Sequence, residues 1–366
     1  MKRVSSARFS SIDTLRGIAA LLVIWQHSAE KFINLPDVAN NGRFIADITQ
    51  DLDFGRIGIV CFFLISGFVI PSSFKPSASH PIKNFIVKRF FRLFPAYWLS
   101  ILLILMYFFY IKVDIQTTAI LANFTMLQSF FSQPHLIGLY WTLQIELVFY
   151  LFCVVLYYFN QLNNDKLLFI IISFFFTLFM VIQLLIVLTD MPINISKEFQ
   201  ILPYIISIMF LGSLCRKIYD GKLNSRLYLY TKLATLMCFG LPLFLLITSL
   251  LGFELVEASF RFGAGHSLAI LLFFIGIKYF NKPPKFMLWL GTISYSLYLF
   301  HPIILEWLLH FIIHSNFSNL QGLHVIIYMT IITIASIIFA SVLYKYIESP
   351  SINLGRKLSK GHNNDK

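Results

Sequence analysis

The chain has 366 residues, of which 58% are hydrophobic and only 13% charged, and its mean hydropathy is +0.76. A soluble domain is about 45–50% apolar and about 25% charged, with nowhere to hide 40 phenylalanines, so a soluble enzyme, a disordered chain, a collagen and a disulfide scaffold are excluded. The net charge of +12 does not call for nucleic acid, because Lys and Arg gather on the cytoplasmic side of membrane proteins.

A spanning helix needs about 20 mostly apolar residues. In chain order the sequence predicts ten, over 13–33, 54–74, 92–112, 140–159, 167–189, 200–216, 230–251, 262–278, 286–313 and 324–346. The first sits where a signal peptide would, but Arg16 and His27 interrupt its apolar run and no small-x-small cleavage site follows. It reads as a retained span. With residues 1–3 in the cytoplasm, the inner loops and tails hold roughly 22 of the Lys and Arg residues and the outer loops roughly 6. Segments 75–92, 216–232 and 345–366 carry most of that excess, while the first outer loop holds Asp37, Asp47, Asp51 and Asp53.

The expected fold is therefore all-α: a polytopic integral membrane protein with about ten transmembrane helices and both termini cytoplasmic. Its membrane domain covers 1–350, and a short polar, basic cytoplasmic tail covers 351–366, too short to fold alone. No internal repeat supports an inverted-repeat transporter. Cys61, Cys153, Cys215 and Cys238 lie in or beside apolar runs without CxxC spacing and read as small apolar packers.

Charges at membrane depth are costly, so each is a functional candidate. Arg16 and His27 are eleven residues apart, which is within about 20° of three full turns and roughly 16 Å along a helix axis. They share a face. That geometry suits a long, thin ligand with an anionic head at the cytoplasmic end and a reactive tip deeper in, the shape of an acyl-coenzyme A. The alternative is that Arg16 pairs with Asp13 and His27 only hydrogen-bonds a neighbouring helix.

Further along, Ser66-Gly67 permits close helix approach. Lys88, Arg89 and Arg92 stand at the cytoplasmic entry of the third span, and Arg89 and Arg92 form an i,i+3 fork for phosphates or a plain positive-inside anchor. Glu146 lies near the outer end of the fourth span, at the depth of His27, where a carboxylate could fix an imidazole tautomer; otherwise it bonds a Tyr or a helix end. His301 precedes Pro302 in mid-span and marks either a cavity-lining kink or a buried, hydrogen-bonded histidine. His310, His314 and His324 gather near an outer end, but no spacing demands a metal. Glu348 reads as structural.

Several of these segments resemble the membrane-bound acyltransferase-3 family. Its Arg-x10-His is matched by Arg16 and His27, its Phe-Phe-x-x-Ser-Gly-Phe by residues 62–68, and its RxxR before a Pro and aromatics by Arg89, Arg92, Pro95, Tyr97 and Trp98. Its Trp-x-Leu-x-x-Glu-x-x-Phe-Tyr is matched by Trp141, Leu143, Glu146, Phe149 and Tyr150, its Ser-Tyr-Ser-Leu-Tyr-x-x-His by residues 294–301, and its Glu-x-Pro by Glu348 and Pro350. The resemblance runs from residue 13 to residue 350. The form without an extra extracytoplasmic esterase-like domain is expected.

The resemblance implies an integral-membrane O-acyltransferase in a bacterial inner membrane. It moves an acyl group, expected to be acetyl, from cytoplasmic acetyl-CoA or another acyl-CoA to a hydroxyl of a cell-surface glycan or lipid-linked sugar. His27 and Glu146 are the expected catalytic pair, with His27 as general base. Arg16, Arg89, Arg92 and Ser66 are expected to hold the donor, and Trp141, Tyr295 and His301 the acceptor. No metal is expected. Partners are the glycan acceptor and membrane lipids, with homo-oligomerisation open. Two rival readings remain, a transporter or flippase with a buried Arg/His/Glu relay and an acyl carrier serving a partner enzyme.

Overall fold

The computed structural model describes residues 9–35, 39–40, 42–189, 196–222, 224–253, 255, 258–314 and 321–360. The expected cytoplasmic end at residues 1–3, Asp37 and the end of the basic tail at 361–366 lie outside the described residues. Almost everything described is helical. The exceptions include the short strands β1 (Ala39–Asn40) and β2 (Leu323–His324), which pair in parallel.

Among the described residues nine helices are long and apolar enough to cross a membrane. Their exposed faces carry large apolar side chains such as Phe174, Leu184 and Leu188 on α7 (Asp165–Thr189), as lipid-facing surfaces do. The protein is a multi-pass membrane protein. The first expected span, helix α1 (Ser10–Ile33), is not among the nine, because Asp13, Arg16, Gln26, His27, Glu30 and Lys31 dilute its apolar run.

By contacts the chain divides into two units, Met1–Ile65 with Arg261–Val342, and Ser66–Phe260 with Leu343–Lys366. The first unit is organised around α1 and α11 (Lys285–His314). Ser10 Oγ donates to the Asn281 carbonyl near the start of the seam, and Lys31 pairs with Glu306 at 2.6 Å near its end. Between them Gly17 packs on Leu290 and Gly291. The two helices thus run parallel and in register. Seven of the nine candidate spans lie between α1 and α11 in the chain, an odd number, as two parallel crossings require. Helix α2 (Arg43–Leu52) leads into α3 (Phe54–Val69), where Gly58 lies against the Ala19 carbonyl and Val23 of α1. Helices α10 (Ser259–Tyr279) and α12 (Val325–Leu343) complete this unit.

The second unit holds α4 (Pro81–Tyr110), α5 (Thr117–Phe124), α6 (Tyr140–Tyr158), α7, α8 (Lys197–Tyr219), α9 (Ser225–Leu250) and α13 (Ser349–Lys360). Helices α7, α8 and α9 pack on one another; Tyr204 donates to the Cys238 carbonyl at 2.7 Å and Ser207 to the Ile172 carbonyl at 3.2 Å. Tyr97 and Trp98 of α4 donate to the Asn123 and Phe124 carbonyls that close α5. All four cysteines are buried and free.

Three boundaries differ from the hydropathy reading. The span expected at 54–74 ends at Val69, where Pro71 opens a 3-10 turn, Pro71–Ser73. The span expected to begin at 92 starts at Pro81, since Pro suits a first helical turn. Past α12 the chain makes one π turn, Tyr344–Glu348, and continues as α13. That segment is helical because it docks on α4: Ser351 Oγ donates to the Phe91 carbonyl at 2.6 Å, and Gly355 meets the Phe91 side chain.

Candidate active site

His27 and His301 face each other across the α1–α11 seam. His27 Nδ1 lies 2.9 Å from His301 Nε2, with the rings stacked at 5.2 Å between centroids. Their sequence separation of 274 equals that of Gly17 and Gly291. The glycine contact two to three turns away therefore sets the helix separation that lets the imidazoles meet. His301 is fully buried, His27 half-buried. The other ring nitrogen of His301, Nδ1, lies 3.2 Å from the Leu297 carbonyl one turn back. Among the described residues His27 Nε2 has no hydrogen-bond partner. Arg16, half-buried, stands on the same helix, and Tyr295 is buried on α11.

One turn beyond His27 toward the end of α1 lies a collar of charges that the sequence reading did not single out. Asp53 Oδ2 accepts from Arg261 Nε at 2.8 Å and pairs with Arg56 at 3.1 Å. Arg261 also reaches Glu30 at 3.2 Å, and Gln26 donates to the same Glu30 oxygen at 2.7 Å. Asp53, with its side chain 8% exposed, sits at φ 49° in the left-handed region, which Asp tolerates better than most residues. Spacing could have flagged Asp53 with Arg56 at i,i+3 and Gln26 with Glu30 at i,i+4. Their link to α10 joins residues far apart in the chain.

In the second unit the structure joins three predicted residues through Tyr150. The Arg89 guanidinium lies 5.4 Å from the Phe85 ring and 5.3 Å from the Tyr150 ring, and its Nη2 donates to Ser73 Oγ at 3.0 Å. Tyr150 donates to Glu146 Oε1 at 2.7 Å, and Ser66 Oγ donates to that oxygen at 3.4 Å. Arg92, half-buried, follows Arg89 one turn along α4, and Trp141 is half-buried in the first turn of α6. The aromatic flanks orient the Arg89 guanidinium, leaving a planar cation suited to phosphate or carboxylate.

The profile of a family described as an acyltransferase domain, acyltransferase-3, matches residues 9–345. The chain belongs to the acyltransferase-3 family. It is also similar to Nodulation protein 10 of Rhizobium leguminosarum bv. viciae, 34% identical over 168 residues, which is 40% of this chain and 44% of that protein. The match thus spans under half the length of that relative. No solved structure matches the chain.

Two further features of this acyltransferase-3 family member bear on its chemistry. Ser129, His135 and Glu198 form a constellation that no sequence motif announced. Ser129 Oγ donates to Glu198 Oε2 at 2.7 Å, and His135 Nε2 lies 2.9 Å from both Ser129 Oγ and Glu198 Oε1. A serine nucleophile needs a bare Nε2 and a carboxylate on Nδ1. Here Gln128 Nε2 faces Nδ1 and the carboxylate faces Nε2, so His135 accepts at Nδ1 and its Nε2 donates rather than accepts. The cluster therefore clamps the Gln128–Phe131 turn to the start of α8. Among the described residues no group of three or more His, Cys, Asp or Glu is placed to hold a metal. His310 and His314 stack at 4.1 Å, and His324 accepts from the Ile326 amide.

Proposed function

We propose that this acyltransferase moves an acetyl group from acetyl-CoA to a hydroxyl of a cell-surface glycan or lipid-linked sugar, in a bacterial inner membrane, with His27 as general base. The reading is supported above all by His27 itself. It is half-buried within the membrane-spanning bundle, held at one ring nitrogen by His301, and its other nitrogen has no partner among the described residues.

The step balances simply. The acceptor O–H gives its proton to His27 Nε2 as its oxygen bonds to the thioester carbonyl carbon. The C–S bond then breaks, and the departing thiolate of coenzyme A takes the proton back from the imidazolium. Products are an O-acyl ester and free coenzyme A. Such proton transfer contributes about 10²- to 10⁴-fold. In this reading Arg16, Arg89, Arg92 and Ser66 contact the donor. Trp141 and Tyr295 contact the acceptor.

Charge-assisted bonds from a guanidinium suit the phosphates and the 3′-phosphoadenosine end of the donor. The test is transfer from radiolabelled acetyl-CoA into alkali-labile ester by the protein in nanodiscs, supplied with glycan and lipid-linked sugar from the host membrane. Label in the glycan matched by coenzyme A release supports the reading. A pure transporter leaves no covalent acyl product.

A further inference from the structure

We propose that His301 is a positioning residue that fixes the tautomer of His27, so that Nε2 of His27 is the bare, proton-accepting nitrogen. The inference rests on the reading of His27 as base, but its central observable does not require turnover.

The argument begins with a carbonyl. The Leu297 oxygen can only accept, so His301 Nδ1, 3.2 Å away, must carry the proton if the two bond.

With one proton on each imidazole, His301 Nε2 then presents a lone pair. It lies 2.9 Å from His27 Nδ1, which must therefore be the donor. That leaves His27 Nε2 without a proton. The opposite arrangement would set a His301 lone pair against the Leu297 oxygen, acceptor against acceptor. The chain of bonds therefore runs one way, from His27 Nδ1–H to His301 Nε2 and from His301 Nδ1–H to the α11 backbone. His301 thus holds Nδ1 of His27 through a neutral ring, where a serine-protease-type triad uses a carboxylate. In a hydrogen-bonded relay, the ring nitrogen not used for chemistry sets which tautomer the other presents.

The test combines 15N-histidine NMR of the nanodisc protein with kinetics on His301→Ala, His301→Gln and His301→Leu, with the His27 resonance assigned by its loss in His27→Ala. In wild type the His27 signals should report a protonated Nδ1 and an unprotonated Nε2. His301→Ala and His301→Leu should mix the tautomers and lower kcat by about 10²- to 10⁴-fold while KM for acetyl-CoA stays unchanged. His301→Gln should restore part of both, because a Gln carbonyl oxygen can accept from His27 Nδ1–H. His27 protonated at Nε2 in wild type overturns the proposal. So does a tautomer ratio untouched in all three variants, or Gln behaving as Leu does. If instead the tautomer responds as expected but His27→Ala retains turnover, the positioning holds and the general-base reading fails.

Discussion

Gly291 approaches Asp13 so closely that a Cβ on Gly291 would lie 1.9 Å from the Asp13 carbonyl oxygen. Backbone cannot give way as a flexible side chain can, so the α1–α11 seam exists only with glycine there. The approach carries through to the histidines, because Gly291 and His301 are on one helix and Asp13 and His27 on the other.

Gly291→Ala should therefore push α1 and α11 apart. Overpacking of this kind costs about 1–3 kcal/mol, and the His27–His301 bond should lengthen with it. Thermal unfolding in detergent, read beside acyl transfer, checks this. The expected result is lower stability with a larger fractional loss of turnover; an unaffected turnover would separate the seam from the histidine pair.

Asp53→Asn tests the collar. Asn tolerates the left-handed backbone at this position as Asp does, so the substitution removes charge and leaves geometry alone. Arg56 and Arg261 would then face each other with less compensation. Because both arginines are about one-third exposed, solvent screens the loss, and the cost should be about 1 kcal/mol. Thermal unfolding at low and high salt measures it, with the deficit shrinking as salt rises.

Arg89→Ala should weaken acetyl-CoA binding by about 10- to 100-fold, the equivalent of one charge-assisted hydrogen bond. Arg89→Lys should recover only part of this, since a lysine cannot present a planar cation between Phe85 and Tyr150. Calorimetric or fluorescence titration of the purified protein decides it, and wild-type affinity in Arg89→Ala would remove Arg89 from the donor site.

The span pattern was legible because lipid imposes it: each crossing needs a long apolar run, and those runs stand out one by one in the chain. The Arg16–His27 pair was legible for the same reason, two ionisable groups in an otherwise apolar helix. What the sequence hid lies in contacts between distant segments. Nothing local pairs His27 with His301, or Asp53 with Arg261, since each meeting depends on how helices pack. The N-terminal extension of α4 and the helix α13 were hidden for another reason. Their polar residues read as loop and tail, and they fold as helices because Phe91, Ser351 and Gly355 give them a surface to share. Arg89, Tyr150, Glu146 and Ser66 lay in recognisable motifs, but that they form one connected chain required the fold.

The most direct test of the account is acetyl transfer by His27→Ala beside wild type, both reconstituted in nanodiscs at matched, folded concentrations with radiolabelled acetyl-CoA and glycan acceptor. The account predicts alkali-labile glycan label and stoichiometric coenzyme A release from wild type. It predicts a loss of turnover of at least about 10²-fold in His27→Ala, with acetyl-CoA binding preserved. Turnover by His27→Ala at the wild-type rate would contradict it.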